Sequence, residues 1–295
     1  MDTMSELWSF SISVGVVIVA LSATLAPMYI LIRQREKNLR LPIDREQLLR
    51  LPGYGLQEEL RDKQFAILGY LVFGLYIVLS PFAFVSIQTH IKAGNFPYLL
   101  CITAISGLLF VAFKTVRNFN QLTKLRLGHA AELATAAELM LLQAQGYQIF
   151  HDIQADKFNI DHLAIGPNGV FAIETKGRHK RTEDSKESHK MAFKDGKLVF
   201  PSWTESDPID QAVRQAKWAT QWLSKASGVN ITAVPVLVFP GWYINLQSRP
   251  PFPILNHKQL ATTLPRSGNT QLSQEQINAI CYQVAQRSVQ GPPPK

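Results

Sequence analysis

The distribution of apolar and polar positions divides the chain into two regimes. Residues 7–32, 65–87 and 93–113 contain no Asp, Glu, Lys or Arg. A helix of about 20 apolar residues crosses a hydrocarbon core about 30 Å thick, so each run predicts a membrane-spanning helix. A cleaved signal peptide fits the first run poorly, because the preceding "MDTMSE" is acidic and the run is too long. From residue 114 onward the patterning is that of an ordinary water-soluble domain. Residues 125–146, "LRLGHAAELATAAELMLLQAQG", are rich in Ala and Leu and end on Gly146, which predicts a helix with a glycine C-cap. "YQIFHDIQ", "NIDHLAIG" and "VFAIETKG" read as strands, the last two joined by the turn "GPNG". "HKMAFKDGKLVF" predicts a second hairpin around Asp195-Gly196. Asp207-Pro208 opens a helix that stops before Gly228. "TAVPVLVF" follows as a buried strand, with Pro235 arguing for an edge or a bulge, and "SQEQINAICYQVAQRS" reads as a last amphipathic helix.

Charge adds a topology. Four basic residues follow the first apolar run (Arg33, Arg35, Lys37 and Arg40), and Lys114, Arg117, Lys124 and Arg126 follow the third. The loop between the second and third runs carries one lysine. Basic flanks stay cytoplasmic, so three spans place the N-terminus outside and the C-terminal region in the cytoplasm of a multi-pass plasma or inner-membrane protein. The segment 44–64, broken at Pro52-Gly53, is expected to lie along the membrane surface. Residues 114–295 hold 21 Lys and Arg against 14 Asp and Glu, which favours a polyanionic partner, either nucleic acid or the anionic leaflet. Two cysteines, Cys101 and Cys281, exclude a disulfide framework. No phosphate-binding loop, nucleotide fingerprint, nucleophilic-serine motif or zinc-like His/Cys spacing occurs.

The hairpin at 159–177 carries the candidate chemistry. Ile160, Leu163, Ile165, Phe171 and Ile173 occupy both faces, so it should lie inside a sheet. If Ile165 pairs with Val170, Asp161 stands opposite Glu174, at a Cβ separation of about 5 Å. Two carboxylates that close repel unless a cation lies between them, and Mg²⁺ suits one or two carboxylates with several waters. Lys176 shares the face of Glu174 and would orient or deprotonate a water, or stabilise developing negative charge. A three-residue loop with a glycine bulge would instead set Thr175 opposite Asp161. Glu132 lies on a packed helical face with Gly128, Thr135, Ala136 and Leu139, and reads equally as a site residue or a surface glutamate. Gln211, Gln215, Trp218 and Trp222 share one face of the 207–226 helix, with Arg214, Lys217 and Lys225 interspersed as phosphate contacts or as a solvated face. His162 follows Asp161 onto the opposite face and reads as a structural hydrogen-bonder, and "GRHKRTEDSKESHK" reads as a loop.

An aspartate followed by glutamate-x-lysine on the next strand resembles the core of the PD-(D/E)xK nucleases. "LGHAAELATAAELM", "GYQIFHDIQ", "NIDHLAIGPNGVFAIETKG" and "DPIDQAVRQA", in that order, resemble the nuclease-related domain (NERD) family over 125–215, and more loosely to 264. The resemblance implies a restriction-endonuclease-like α/β fold, a mixed sheet flanked by helices, and Mg²⁺- or Mn²⁺-dependent hydrolysis of DNA or RNA. It makes Asp161 and Glu174 metal ligands, with a strand carbonyl at Thr175, and Lys176 the catalytic lysine. Glu132 and Gln211 correspond to the family's helical glutamate and the glutamine of the following helix. Two departures are Ala131 before Glu132, where the family favours glycine, and Met191, where tryptophan is common. The expected organisation is a membrane anchor at 1–113, a linker at 114–124, a nuclease-like domain at 125–264 and a C-terminal helix with a disordered tail at 265–295. The alternative is a non-catalytic nucleic-acid-binding or scaffold module on a vestigial nuclease fold.

Overall fold

The computed structural model describes residues 47–90, 98–155, 157–180 and 189–290, together with Gly15, Val19, Ser22 and Ile30. It divides into two compact units, one of Met1–Ile43 with Leu60–Thr123 and one of Asp44–Glu59 with Lys124–Lys295. Two long helices, α1 (Tyr54–His90) and α2 (Tyr98–Gln143), contribute residues to both units. The stretch 114–124, expected as a linker, consists of helical turns of α2.

Among the described residues no helix is long and apolar enough to cross a membrane, so the three expected spans gain no support here. The first expected span, 7–32, lies outside the described residues apart from Gly15, Val19, Ser22 and Ile30.

The second unit is a mixed α/β fold with two sheets. The larger has strand order β1 (Gln148–Gln154), β2 (Asn159–Gly166), β3 (Gly169–Thr175), β7 (Val234–Val238) and β9 (Ile254–Leu255). The smaller runs β6 (Thr204–Glu205), β5 (Lys197–Val199), β4 (Lys190–Lys194) and β8 (Tyr243–Leu246). Two further long helices, α3 (Asp207–Ser227) and α4 (Gln274–Arg287), and short helical turns across 257–266 complete the described part of the unit. The predicted hairpin at 159–177 is inside the sheet, since β2 and β3 pair with each other and with β1 and β7 on either side. Its register pairs Ile165 with Val170 and His162 with Ile173, as the two-strand reading requires. The turn is clamped from outside. Asn168 donates to the carbonyls of Leu264 and Pro265, and its side-chain oxygen accepts from the Tyr147 hydroxyl.

Each face of the larger sheet is covered by helix. Ala216, Ala219 and Leu223 of α3 and Ile277, Ile280 and Val284 of α4 pack on Ile160, Leu163, Ile165, Val170 and Ala172. Leu139 and Leu142 of α2 pack on Ala164, Phe171, Ile173, Val236 and Val238 opposite. The compact unit is therefore wider than 125–264, because α4 belongs to its core. α3 follows the sequence expectation closely: Pro208 lies in its first turn, and Gly228 closes it in the left-handed region at φ 70°. Pro235 sits in an interior strand, which the expectation of an edge did not foresee. The amides of Leu237 and Phe239 point toward the β9 side, to the Pro253 and Leu255 carbonyls. Alternate amides share a direction, so the missing N–H of Pro235 falls where the β9 ladder has not yet begun.

Candidate active-site cleft

The carboxylates meet where β3 leaves the sheet. Glu174 and Lys176 project to the same side because side chains alternate along the strand. The ladder between β2 and β3 ends at His162 and Ile173, and Asp161, next in register, faces Glu174 beyond it. Asp161 Oδ2 there accepts the Thr175 amide at 2.7 Å, so a side chain continues what the backbone ladder began. Glu174 is buried and its oxygens accept three side-chain N–H groups. Oε1 receives Lys176 Nζ at 2.5 Å and Gln211 Nε2 at 2.7 Å, and Oε2 receives Gln215 Nε2 at 2.5 Å. Lys176 Nζ also donates to Gln211 Oε1 at 3.0 Å, which closes a ring of Glu174, Lys176 and Gln211. α3 supplies both glutamines one turn apart. Trp218 and Trp222, the next positions on that stripe, stack at 5.1 Å and pack, half-buried, against the core.

Gly177 explains how strand and helix come this close. A Cβ on it would lie 2.8 Å from the Leu127 carbonyl oxygen of α2. Its absence lets the end of β3 run against the helix that carries Glu132. Glu132 is buried, and burial together with the charges of Asp152 and Glu174 pushes its carboxyl up to about 8, while an N–H of Gly53 and the Lys176 charge oppose the rise. Burial, then Glu174 and Glu132, likewise hold the Asp161 carboxyl well above the ordinary range. These residues, with Thr175, line one open cleft of about 1090 Å³, whose rim also carries Lys124, Lys157 and Arg178. Arg214, Lys217 and Lys225 are exposed on α3 and do not line it.

The six residues expected from the sequence, Glu132, Asp161, Glu174, Thr175, Lys176 and Gln211, are thus together in one cleft. Gln215 was placed on the right helical face, but its bond to Glu174 was not anticipated. Arg50 was not anticipated as a neighbour of the site. The segment expected along the membrane surface instead packs, from Leu48 to Glu59, within the second unit, where Gly55, Leu56 and Glu59 line the cleft. Its Arg50 is buried against Asp152 at 2.9 Å, a partner 102 residues away that no local pattern announces. Residues 181–188, most of the expected loop after Lys176, lie outside the described residues. His162 is buried on the opposite sheet face with its Nδ1 2.8 Å from His151 Nδ1. Burial drives His151 down to about 4 and His162 well below its usual value. Ala131 and Met191, the two departures from the family pattern, are both buried apolar positions, Met191 packing with Phe193 and Trp242.

Among the described residues no group of three or more His, Cys, Asp or Glu side chains is arranged to hold a metal. Two carboxylates are nevertheless sufficient for a hard cation that keeps most of its water. Two further observations fit one: mutual repulsion of Asp161, Glu174 and Glu132, and a buried oxygen without a partner on the side chain bound to Glu174, Gln215 Oε1. No curated protein and no solved structure matches the chain. The family model described as Nuclease-related domain, NERD, does match, over residues 127–240, and the carboxylates, Lys176 and Gln211 all lie within that stretch.

Proposed function

We propose that the cleft hydrolyses phosphodiester bonds of nucleic acid, on a restriction-endonuclease-like fold and with Mg²⁺ or Mn²⁺ held by Asp161, Glu174 and the Thr175 carbonyl. The observation that carries this reading is the convergence of Asp161, Glu174, Lys176 and Gln211 at the open end of β3 within the nuclease-related stretch. Bound metal supplies Lewis-acid polarisation of the phosphoryl oxygen and a more acidic water. Lys176, held by Gln211 and Glu174, orients the attacking water and meets the negative charge that develops on phosphorus-bound oxygen. The water oxygen bonds to phosphorus as its proton passes to bulk water, the bond to the leaving sugar oxygen breaks, and that oxygen takes up a proton from bulk water. Gln215 fixes the carboxylate of Glu174 from the other side. Lys124, Lys157 and Arg178 on the rim attract the phosphate backbone without reading its sequence.

The test is cleavage of labelled DNA and RNA by the purified chain with Mg²⁺, Mn²⁺ or EDTA, beside Asp161→Ala and Lys176→Ala. Metal-dependent product that both substitutions abolish supports the reading. Cleavage that survives both removes it. A second reading, a binding module without turnover, is favoured by the lysine already seated on Glu174 and by the small ligand set. It predicts salt-sensitive, metal-independent binding and no product.

The three-span anchor with a cytoplasmic nuclease-like unit remains part of the proposal. It is supported by the charge-free runs and by large apolar side chains exposed on α1 and α2, among them Leu68, Leu71, Phe73, Leu109, Phe110 and Phe113. Patches of that kind mark a membrane or protein contact. Resistance of the membrane-bound chain to carbonate extraction checks it, and release into the soluble fraction overturns it.

A further inference from the structure

We infer that Arg50, which lies outside the nuclease-related stretch, is a positioning residue for the candidate site, acting through Asp152 on Glu132 and Glu174. The inference rests on the phosphodiesterase reading for its kinetic arm only.

The sheet register raises the problem that Arg50 answers. Continued past the flanking pairs, the β1–β2 register would set Asp152 opposite Asp161, and the β2–β3 register would set Asp161 opposite Glu174. A regular ladder would therefore align three acids in one row across three neighbouring strands. Like charges directly opposite destabilise a sheet. Asp152 leaves the row: it makes no ladder pair with Asp161, and its backbone adopts φ 49°, a left-handed conformation unusual for a residue with a side chain.

Its buried carboxylate is then held from three sides. Arg50 Nη1 donates at 2.9 Å, Asn159 Nδ2 at 2.8 Å and the Gly55 amide at 3.2 Å. Arg50 is itself fixed far along the chain. Its Nε donates to the Val289 carbonyl at 3.0 Å and its amide to the Ser288 carbonyl at 2.7 Å, while the Gln290 amide returns to Leu48. Leu49 and Val289 form a bridge between the two segments.

Two routes lead from this tie into the cleft. Asn159 bonds Asp152 through its side chain, while its carbonyl accepts Gln215 Nε2 at 3.0 Å. The same Gln215 nitrogen reaches Glu174. On the other route, Gly53, three residues beyond Arg50, lies against Glu132, since a Cβ on it would be 3.5 Å from Glu132 Oε2. Gly53 adopts φ 68°, and a Cβ there would lie 2.6 Å from the His129 ring, so a glycine lets the turn pass close to the helix that carries Glu132. The bland alternative is that Arg50 merely pins the 48–56 segment down.

Hydrogen exchange and kinetics on the full chain separate the two. The variants are Arg50→Ala, Arg50→Lys, and the double variant Arg50→Met with Asp152→Asn, which removes both buried charges at similar volume and so protects against simple misfolding. Exchange at 159–161 and 174–176 is expected to rise about tenfold in the alanine and double variants, while peptides from 190–199 keep their protection. kcat on DNA is expected to fall about tenfold with KM unchanged, and Arg50→Lys to recover most of it. Exchange that rises only at 48–56, with kcat at the native level, overturns the inference. If the native chain does not cleave at all, the phosphodiesterase reading fails, and the exchange arm still decides the positioning role.

Discussion

Glu174 receives its three N–H donors from three residues, and Lys176 is the only one that brings charge. Lys176→Ala is therefore expected to lower cleavage about 100-fold or more, while Gln215 and Gln211 keep Glu174 in place; single-turnover cleavage with a melting curve checks both halves. Glu132 makes a pH prediction. Its carboxyl binds a proton more tightly folded, at about 8, than unfolded, at 4.5. The bound proton thus favours folding fully below 4.5, and that contribution is lost as pH rises to about 8. Glu132→Gln does not titrate, so in EDTA its Tm relative to the native chain is expected to rise between pH 5 and pH 9. A constant difference across that range removes the assignment. At this scale the sequence was informative where spacing alone decides a neighbour. Asp161 and Glu174 meet in one of the two registers that strand alternation and the turn allow, the one in which Ile165 pairs with Val170. Arg50 was illegible for the opposite reason, since its partners Asp152 and Val289 are defined only by the completed fold.

At the level of elements, the hairpins and α3 were legible because their signals are local: turn glycines, alternating apolar residues, a proline at the helix start. The interior position of β7 was not, because the tolerance for Pro235 depends on where β9 begins. Pro235→Ala is accordingly expected to change stability by less than about 1 kcal/mol, since its new amide lacks a ladder partner; denaturant titration measures it. Gly177 is the contrasting case. Gly177→Ala forces a Cβ against the Leu127 carbonyl and should cost about 1–3 kcal/mol, with loss of cleavage as β3 and α2 separate. Native stability and activity in that variant would show that the close approach is not needed.

For the whole molecule, the net charge of +8 matters less than where the cations lie. Lys124 and Lys157 are exposed on the cleft rim, whereas Arg178 is engaged with Glu205 at 2.9 Å. Replacing both lysines with glutamine is expected to weaken duplex binding and flatten the slope of log K against log salt by about 1.8, as the loss of two phosphate contacts requires. An unchanged slope would place the nucleic acid elsewhere. The tie between 48–50 and 288–290 also bears on how the protein is made. Arg50 and Val289 are 239 positions apart, so during synthesis residues 48–56 emerge long before their partners exist. The nascent chain carries all the acidic residues and Lys176 well before Ser288 is added, yet this wall of the cleft has nothing to close against. A chain ending between Gln211 and Ser288 would hold every proposed catalytic group, yet Arg50 would keep only its Asp152 partner and lose the Ser288 and Val289 carbonyls that fix it from the C-terminal side.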